Sequence, residues 1–308
     1  MHTQKPTQGL LTLILLGFIW GTGYTIARFA MTHGVPPLGY SFWQSLGPAV
    51  IMGLIACFRA TSYKLSLSNL RFYLICGLTG IVIPNTSMYF AASHLPAGIL
   101  AMIVNTVPIV AYPLALLAQL EAFSWQRLTG ILLALFGLML IIIPKSSLPS
   151  PAMVPWVIST LVTPISFALC SIFIARCRPA NTSTLELTAG MLIASSLLLI
   201  PLVFATGSFY LIQIPLTLPD AVILLEIILS SIGYLLFFQL IRIAGPVYYS
   251  LVDTIVVLTG LFWGNIIFGE HLNQWTSAAV SFILLALLLV TQKRRAAQQQ
   301  PNGISVTT

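Results

Sequence analysis

The chain has 308 residues, of which 6% are charged and 58% hydrophobic. A soluble domain carries about 25% charged residues to build its solvated shell, so 13 basic and six acidic side chains exclude a water-soluble fold and make lipid the solvent for most of the surface. The formal charge of +7 is scattered singly or in small groups between apolar runs, not laid along a polar face, which excludes a nucleic-acid-binding surface.

Crossing the hydrocarbon core as a helix takes about 20 apolar residues, and the need to satisfy the backbone without water excludes open sheet. Ten runs meet that length: about 9–31, 37–58, 70–92, 96–118, 127–144, 153–176, 184–206, 219–241, 246–268 and 274–292. The first is too long for the apolar part of a cleavable leader and is predicted as a retained helix. Turn residues separate the runs: Gly34, Pro36 and Pro37; Pro96; Pro149 and Pro151; Gly207; Pro219; and Gly245 with Pro246 between the eighth and ninth. The connections are short, and none is long enough to fold as a domain.

Lys and Arg set the orientation. With the amino terminus in the cytoplasm, Lys5, Arg59, Lys64, Arg71, Arg127, Arg176, Arg178, Arg242 and the Lys293-Arg294-Arg295 tail all face inside. Lys145 is left in an outer loop, and Arg28 stands near the outer end of the first helix. The prediction is a multi-pass protein of a bacterial inner membrane with both termini cytoplasmic and residues 293–308 as a polar tail.

The two halves of the sequence carry weak internal repeats, a feature of many membrane-carrier folds. Ile26-Ala27-Arg28 recurs as Ile174-Ala175-Arg176, and Val104-Asn105-Thr106 as Val252-Asp253-Thr254, both at an offset of 148; Glu121 and Glu270 are 149 apart. The shared offset is near half the chain. Five helices is an odd number, so the second half must be inverted in the membrane. The predicted units are 1–148 and 149–292. The fold class is an all-α membrane protein of ten helices, arranged as two inverted five-helix repeats around a central cavity.

The segment AGILAMIVNTVPIVAYPLALLAQLEAFSWQRLTGILLALFGLMLIII (97–143) and the segment PVYYSLVDTIVVLTGLFWGNIIFGEHLNQWTSAAVSFILLALLLV (246–290) share one plan. Each has a helix rich in small residues, a glutamate at its end, a short polar loop and a Gly/Ala/Leu helix. Trp20-Gly21 with Tyr24 matches an early W-G-x-x-aromatic pattern. Over about residues 10–292 the chain resembles the ten-helix EamA-type members of the drug/metabolite transporter superfamily. The resemblance implies a cavity between the repeats, alternating access, and export or uptake of a small metabolite.

An ionisable group inside the bilayer costs roughly 2.5–3.5 kcal/mol on insertion scales. Glu226 falls in the eighth helix, roughly 9 Å below its outer end, and Asp253 in the ninth, roughly 12 Å from its inner end, at 1.5 Å per residue. Both are expected to face the interior. Two roles stay open for each: substrate ligand or proton carrier, or structural hydrogen bond to a neighbouring helix. The same two roles stay open for Asn105, the repeat counterpart of Asp253.

Spacing by four puts residues on one helix face. Trp20, Tyr24 and Arg28 share a face, as do Asn85 and Tyr89, Glu226 and Ser230, and Tyr249 and Asp253. Aromatic faces with a few polar groups suit an organic cation or zwitterion, and serve equally as packing or as an interfacial belt. Arg28 is expected to gate, pairing with Glu226 when the outer side is closed, or simply to snorkel to the interface. Gly17, Gly21, Gly233, Gly260 and Gly264 permit close helix approach. Pro84, Pro108, Pro113 and Pro164 free backbone carbonyls and bend helices. Glu121 and Glu270, at helix ends, are read as fold determinants.

His33, His94 and His271 fall in outer loops. Cys57, Cys76, Cys170 and Cys177 have no metal-ligand spacing and are read as inert. No phosphate-binding loop, H-E-x-x-H or G-x-S-x-G is present. The expectation is therefore a carrier without cofactor, metal or ATP, and not an enzyme or a channel. Its partners are a small-molecule substrate and the bilayer, with two driving modes left open: protons as a coupling ion, or simple facilitated diffusion. Its leading cargo is amino acids or related compounds, exported by alternating access; the alternative is an organic-cation or multidrug exporter. The sequence leaves the oligomeric state undefined.

Overall fold

A computed structural model describes residues 6–58, 66–142, 148, 150–179, 182–249, 252–271 and 273–291. They form α1 (Pro6–Thr32), α2 (Pro37–Phe58), α3 (Leu67–Gly77), α4 (Ile83–Ala92), α5 (Ala97–Val104), α6 (Val107–Leu117), α7 (Trp125–Ile142), α8 (Val154–Thr160), α9 (Val162–Cys177), α10 (Thr184–Ala205), α11 (Leu218–Tyr249), α12 (Val252–Phe268) and α13 (Gln274–Thr291). Joined across their internal breaks, Leu67–Ala92, Ala97–Leu117 and Pro151–Cys177 each make one span. Among the described residues seven helical spans are long and apolar enough to cross a membrane, and three shorter apolar helices, Trp125–Ile141, Val252–Phe268 and Gln274–Leu289, complete a set of ten. The end of the bundle where α1 begins is called the near end, and the other the far end.

The outside of the bundle is apolar. Leu11, Leu54, Leu132, Leu197, Ile228 and Ile266 are all exposed, an arrangement stable in hydrocarbon and costly in water. Inside, small residues bring backbones together. A Cβ on Gly17 would stand 2.6 Å from that of Ile255, and one on Gly21 would stand 2.5 Å from that of Thr259. Gly17 thus meets 252–255 and Gly21 meets 256–259, so α1 and α12 run in the same direction.

The inversion of the two halves is visible in how counterparts pack. Gly98 of α5 lies against Leu261, and Ala101 against Gly260, so α5 and its repeat counterpart α12 are antiparallel. Gln126 of α7 donates to the Leu289 carbonyl at 3.5 Å, while Gly137 packs on Ala279 and Ile283, so α7 and its counterpart α13 are antiparallel too.

Pro84, Pro108 and Pro164 stand where helices break, whereas Pro48, Pro113 and Pro201 lie inside continuous helices. Pro108 opens α6 just after the interruption at Asn105 and Thr106, and Pro164 follows the kink at Leu161. Between α3 and α4 a π-turn covers Leu78–Val82, with the Ile83 N–H bonded to the Leu78 carbonyl, five residues back. In that register the Thr79 carbonyl would need the N–H of residue 84, and Pro84 has none. Ser166 Oγ on α9 donates to the Thr79 carbonyl instead, at 2.7 Å, and Thr163 Oγ1 donates to the Pro84 carbonyl at 2.9 Å. Ser166→Ala leaves that carbonyl unpaired in the bundle and is expected to cost about 1–3 kcal/mol. The check is a lowered unfolding temperature in detergent, with Ser171→Ala, whose hydroxyl bonds only its own helix, as the unaffected comparison.

Two predictions about the eighth and ninth helices are corrected. Gly245 and Pro246 do not separate them: α11 runs without interruption to Tyr249, and α12 starts at Val252. A glycine–proline pair reads as a turn, yet Pro tolerates a helix whose packed neighbours re-satisfy the freed carbonyl. In consequence Tyr249 and Asp253 belong to different helices and do not share a face. Asp253 is the second residue of α12, not a mid-helix residue.

Candidate functional site

Glu226 lies on α11 inside the bundle, 7% exposed. It is level with Gly23 of α1, where a Cβ would stand 3.5 Å from each carboxylate oxygen. Gly23 is nine residues from the far end of α1, or roughly 14 Å. Oε1 accepts a 2.7 Å hydrogen bond from Ser230 Oγ, one turn along the same helix, while Oε2 has no partner among the described residues. Tyr40 of α2, Tyr89 of α4 and Tyr234 of α11 are within electrostatic reach of this carboxylate. Tyr40 and Tyr89 meet edge to face, with ring centroids 4.7 Å apart, and the buried Tyr40 hydroxyl also has no partner. One turn from Tyr40, Gln44 accepts from the Asn85 amide at 3.0 Å. Buried polar atoms are normally paired; Glu226 Oε2 and the Tyr40 hydroxyl are two that are not, among the described residues.

A second cluster joins the repeat counterparts. Asn105 caps the end of α5. Its amide donates to the Ala101 carbonyl at 2.7 Å and to the Tyr24 hydroxyl at 3.1 Å. Asp253 sits in the first turn of α12, within electrostatic reach of the same Tyr24. The helix ends explain the residue types. Amide donors match the free carbonyls at the carboxyl end of α5, and a carboxylate matches the free N–H groups that open α12. Tyr24 is also within reach of Tyr89, which links this cluster to Glu226.

Arg28, one turn beyond Tyr24, does not pair with Glu226 here. It forms an ion pair with Glu270, at the end of α12, and its guanidinium stacks over Phe268 at 4.5 Å. The Glu270 carboxylate also accepts from the Ala97 and Gly98 N–H groups at 2.9 and 3.4 Å, capping α5. It can reach them because Gly264 offers no side chain in its path: a Cβ there would stand 2.4 Å from Glu270 Oε2. Helix spacing put Arg28 on the correct face of α1, but not opposite a partner; that was decided by the turn at Gly269 (φ 63°), which swings Glu270 back over the bundle. A cavity of about 470 Å³ opens at this far end, lined by Arg28, Phe268, Glu270, His271, Asn273 and Thr276 among others.

The remaining predicted positions separate. Trp20 packs on α11, against Gly233 and Phe237. The Tyr249 side chain lies outside the described residues, as do residues 293–308. Sequence reading passed over Tyr40, Gln44 and Tyr234. The signal was present: Tyr40 and Gln44 are four apart, and Tyr234 continues the Glu226–Ser230 stripe. Among the described residues no three His, Cys, Asp or Glu side chains stand close enough to hold a metal ion.

A family model described as the EamA-like transporter family matches the chain twice, over residues 7–143 and 154–292. The chain belongs to the EamA-like transporter family. The two matches meet the two inverted halves seen in the packing. Among curated relatives, this EamA protein is 21% identical to an uncharacterized transporter of Archaeoglobus fulgidus, over 91% of this chain and 97% of that one. It is 22% identical to an S-adenosylmethionine/S-adenosylhomocysteine transporter of Chlamydia trachomatis, over 91% and 88%, and 24% identical to the protein PecM of Dickeya dadantii, over 88% of each. A solved crystal structure superposes with a TM-score of 0.63 at 15% identity, covering 93% of this chain and 97% of the other, which supports the fold. The EamA chain is thus a multi-pass membrane transporter of a small molecule, from a family with bacterial and archaeal members.

Proposed function

We propose that this EamA protein is a secondary carrier that exports amino acids or related metabolites by alternating access, binding the amine of the cargo at Glu226. The observation that supports this reading is the buried Glu226 carboxylate, whose Oε2 has no partner among the described residues, with the likewise unpartnered Tyr40 hydroxyl and the rings of Tyr89 and Tyr234 within its electrostatic reach. A protonated amine pairs with the Glu226 carboxylate and gains cation–π attraction from nearby tyrosine rings. The Asn85–Gln44 amide pair is one turn away on each of two helices and offers neutral donors and acceptors to the rest of the cargo. A proton competes for the same carboxylate, which makes protons the fitting counter-ion. Both termini are assigned to the cytoplasm and the far end to the outside, on the Lys and Arg asymmetry.

One feature favours a second reading, an organic-cation exporter: the tyrosine wall needs only a cation. The similarity to an S-adenosylmethionine carrier suits either, because that compound has both an amino-acid group and a sulfonium. The test uses purified protein in liposomes under a pH gradient, with an amino acid panel, the matching decarboxylated amines and quaternary ammonium ions. Saturable flux of the amino acids above their amines is expected. Flux of the amines and quaternary ions alone selects the second reading, and no saturable flux of any of them overturns both.

A further inference from the structure

The 148–149 offset pairs Arg28 with Arg176 and Glu270 with Glu121. At the far end this pair of residue types bridges the repeats, Arg28 from the first to Glu270 from the second. At the near end the same types are close but not joined. Arg176 donates to the carbonyl of Ala118, three residues before Glu121, whereas Glu121 forms a 3.1 Å ion pair with Arg127 of its own repeat. The helices that present the two glutamates end alike, on a left-handed residue: Gln119 at φ 54° and Gly269 at φ 63°. The position equivalent to Arg127 in the second repeat is Thr276, so Glu270 has no competing Lys or Arg in its own loop, where its neighbour is His271, and Glu121 has Arg127.

From this asymmetry we infer that Arg176 and Glu121 are a near-end latch, the reciprocal of Arg28–Glu270, which forms when the far pair breaks. The structure described is the far-latched form. In the exchange Glu121 leaves Arg127 for Arg176, and Arg28 is released to the far cavity that it lines. Each latch joins the two repeats, so making one and breaking the other biases which side of the bundle is closed. Arg127 acts as the bias, holding Glu121 within its own repeat. The inference rests on the alternating-access reading, not on any choice of cargo.

The test needs no substrate. A variant with Cys57, Cys76, Cys170 and Cys177 replaced by Ser carries Ser230→Cys as reporter, in sealed vesicles of known orientation. A membrane-impermeant maleimide is applied to the far face. Arg28→Gln is expected to raise the labelling rate about threefold or more by opening the far latch. Arg127→Gln is expected to raise it similarly by freeing Glu121, and that gain should vanish when Glu121→Gln or Arg176→Gln is added. Exchanging the two charges, Glu121→Arg with Arg176→Glu, should preserve the gain in the Arg127→Gln background. The inference is overturned if Arg127→Gln leaves far-face labelling unchanged, or if its gain survives without Glu121 or Arg176. The outcomes separate cleanly from the transport assay: the expected labelling pattern without flux of any cargo keeps the latch and removes the cargo reading, whereas flux with unchanged labelling does the reverse.

Discussion

Glu226→Gln is expected to abolish measurable flux while leaving a folded protein. Gln has the same shape, keeps a carbonyl oxygen for the 2.7 Å bond from Ser230, and removes only the charge. If the carboxylate binds a cationic amine away from water, losing that interaction costs about 3 kcal/mol, or roughly 100-fold in affinity. Glu226→Asp keeps the charge but withdraws it by one methylene, so a partial loss is expected, and Tyr40→Phe, which removes a single hydroxyl, should lose less again. Flux kinetics on the four proteins, with size-exclusion profiles as the folding control, give the ranking. Full activity of Glu226→Gln would make the carboxylate structural and move the cargo site to Tyr24, Asn105 and Asp253.

Glu270→Ala is expected to be the most destabilising change at either glutamate, and Glu121→Ala among the mildest, although the sequence presents them as equivalents. The Glu270 side chain is 14% exposed and that of Arg28 21%. Removing it leaves a guanidinium without its counter-charge and two N–H groups of α5 without their acceptor, a loss of about 3 kcal/mol. Redistribution to the alternate form takes back part of this, so the figure is an upper one. Glu121 is 41% exposed and its ion pair with Arg127 is screened by solvent, so its loss is worth about 0–1 kcal/mol. Thermal unfolding of both variants in the same detergent is the comparison. Equal shifts would show that the far pair is as well solvated as the near one.

Composition alone determined that the chain lives in lipid, because six acidic and 13 basic side chains cannot coat a 308-residue core. Run length determined the ten helices, and the repeat offset determined that the halves are inverted, since an odd number of crossings admits no other arrangement. Helical spacing was enough to put Tyr24 with Arg28, and Glu226 with Ser230, on shared faces, because a helix sets its own geometry from local hydrogen bonds. What lies opposite a face is not local. The placing of Tyr40 and Tyr89 within electrostatic reach of Glu226 comes from three helices far apart in the chain. The choice of Glu270 over Glu226 as the partner of Arg28 depends on the left-handed turn at Gly269 and on Gly264, which leaves the carboxylate room. The helical run through Gly245 and Pro246 goes against the local preference of both residues for a turn.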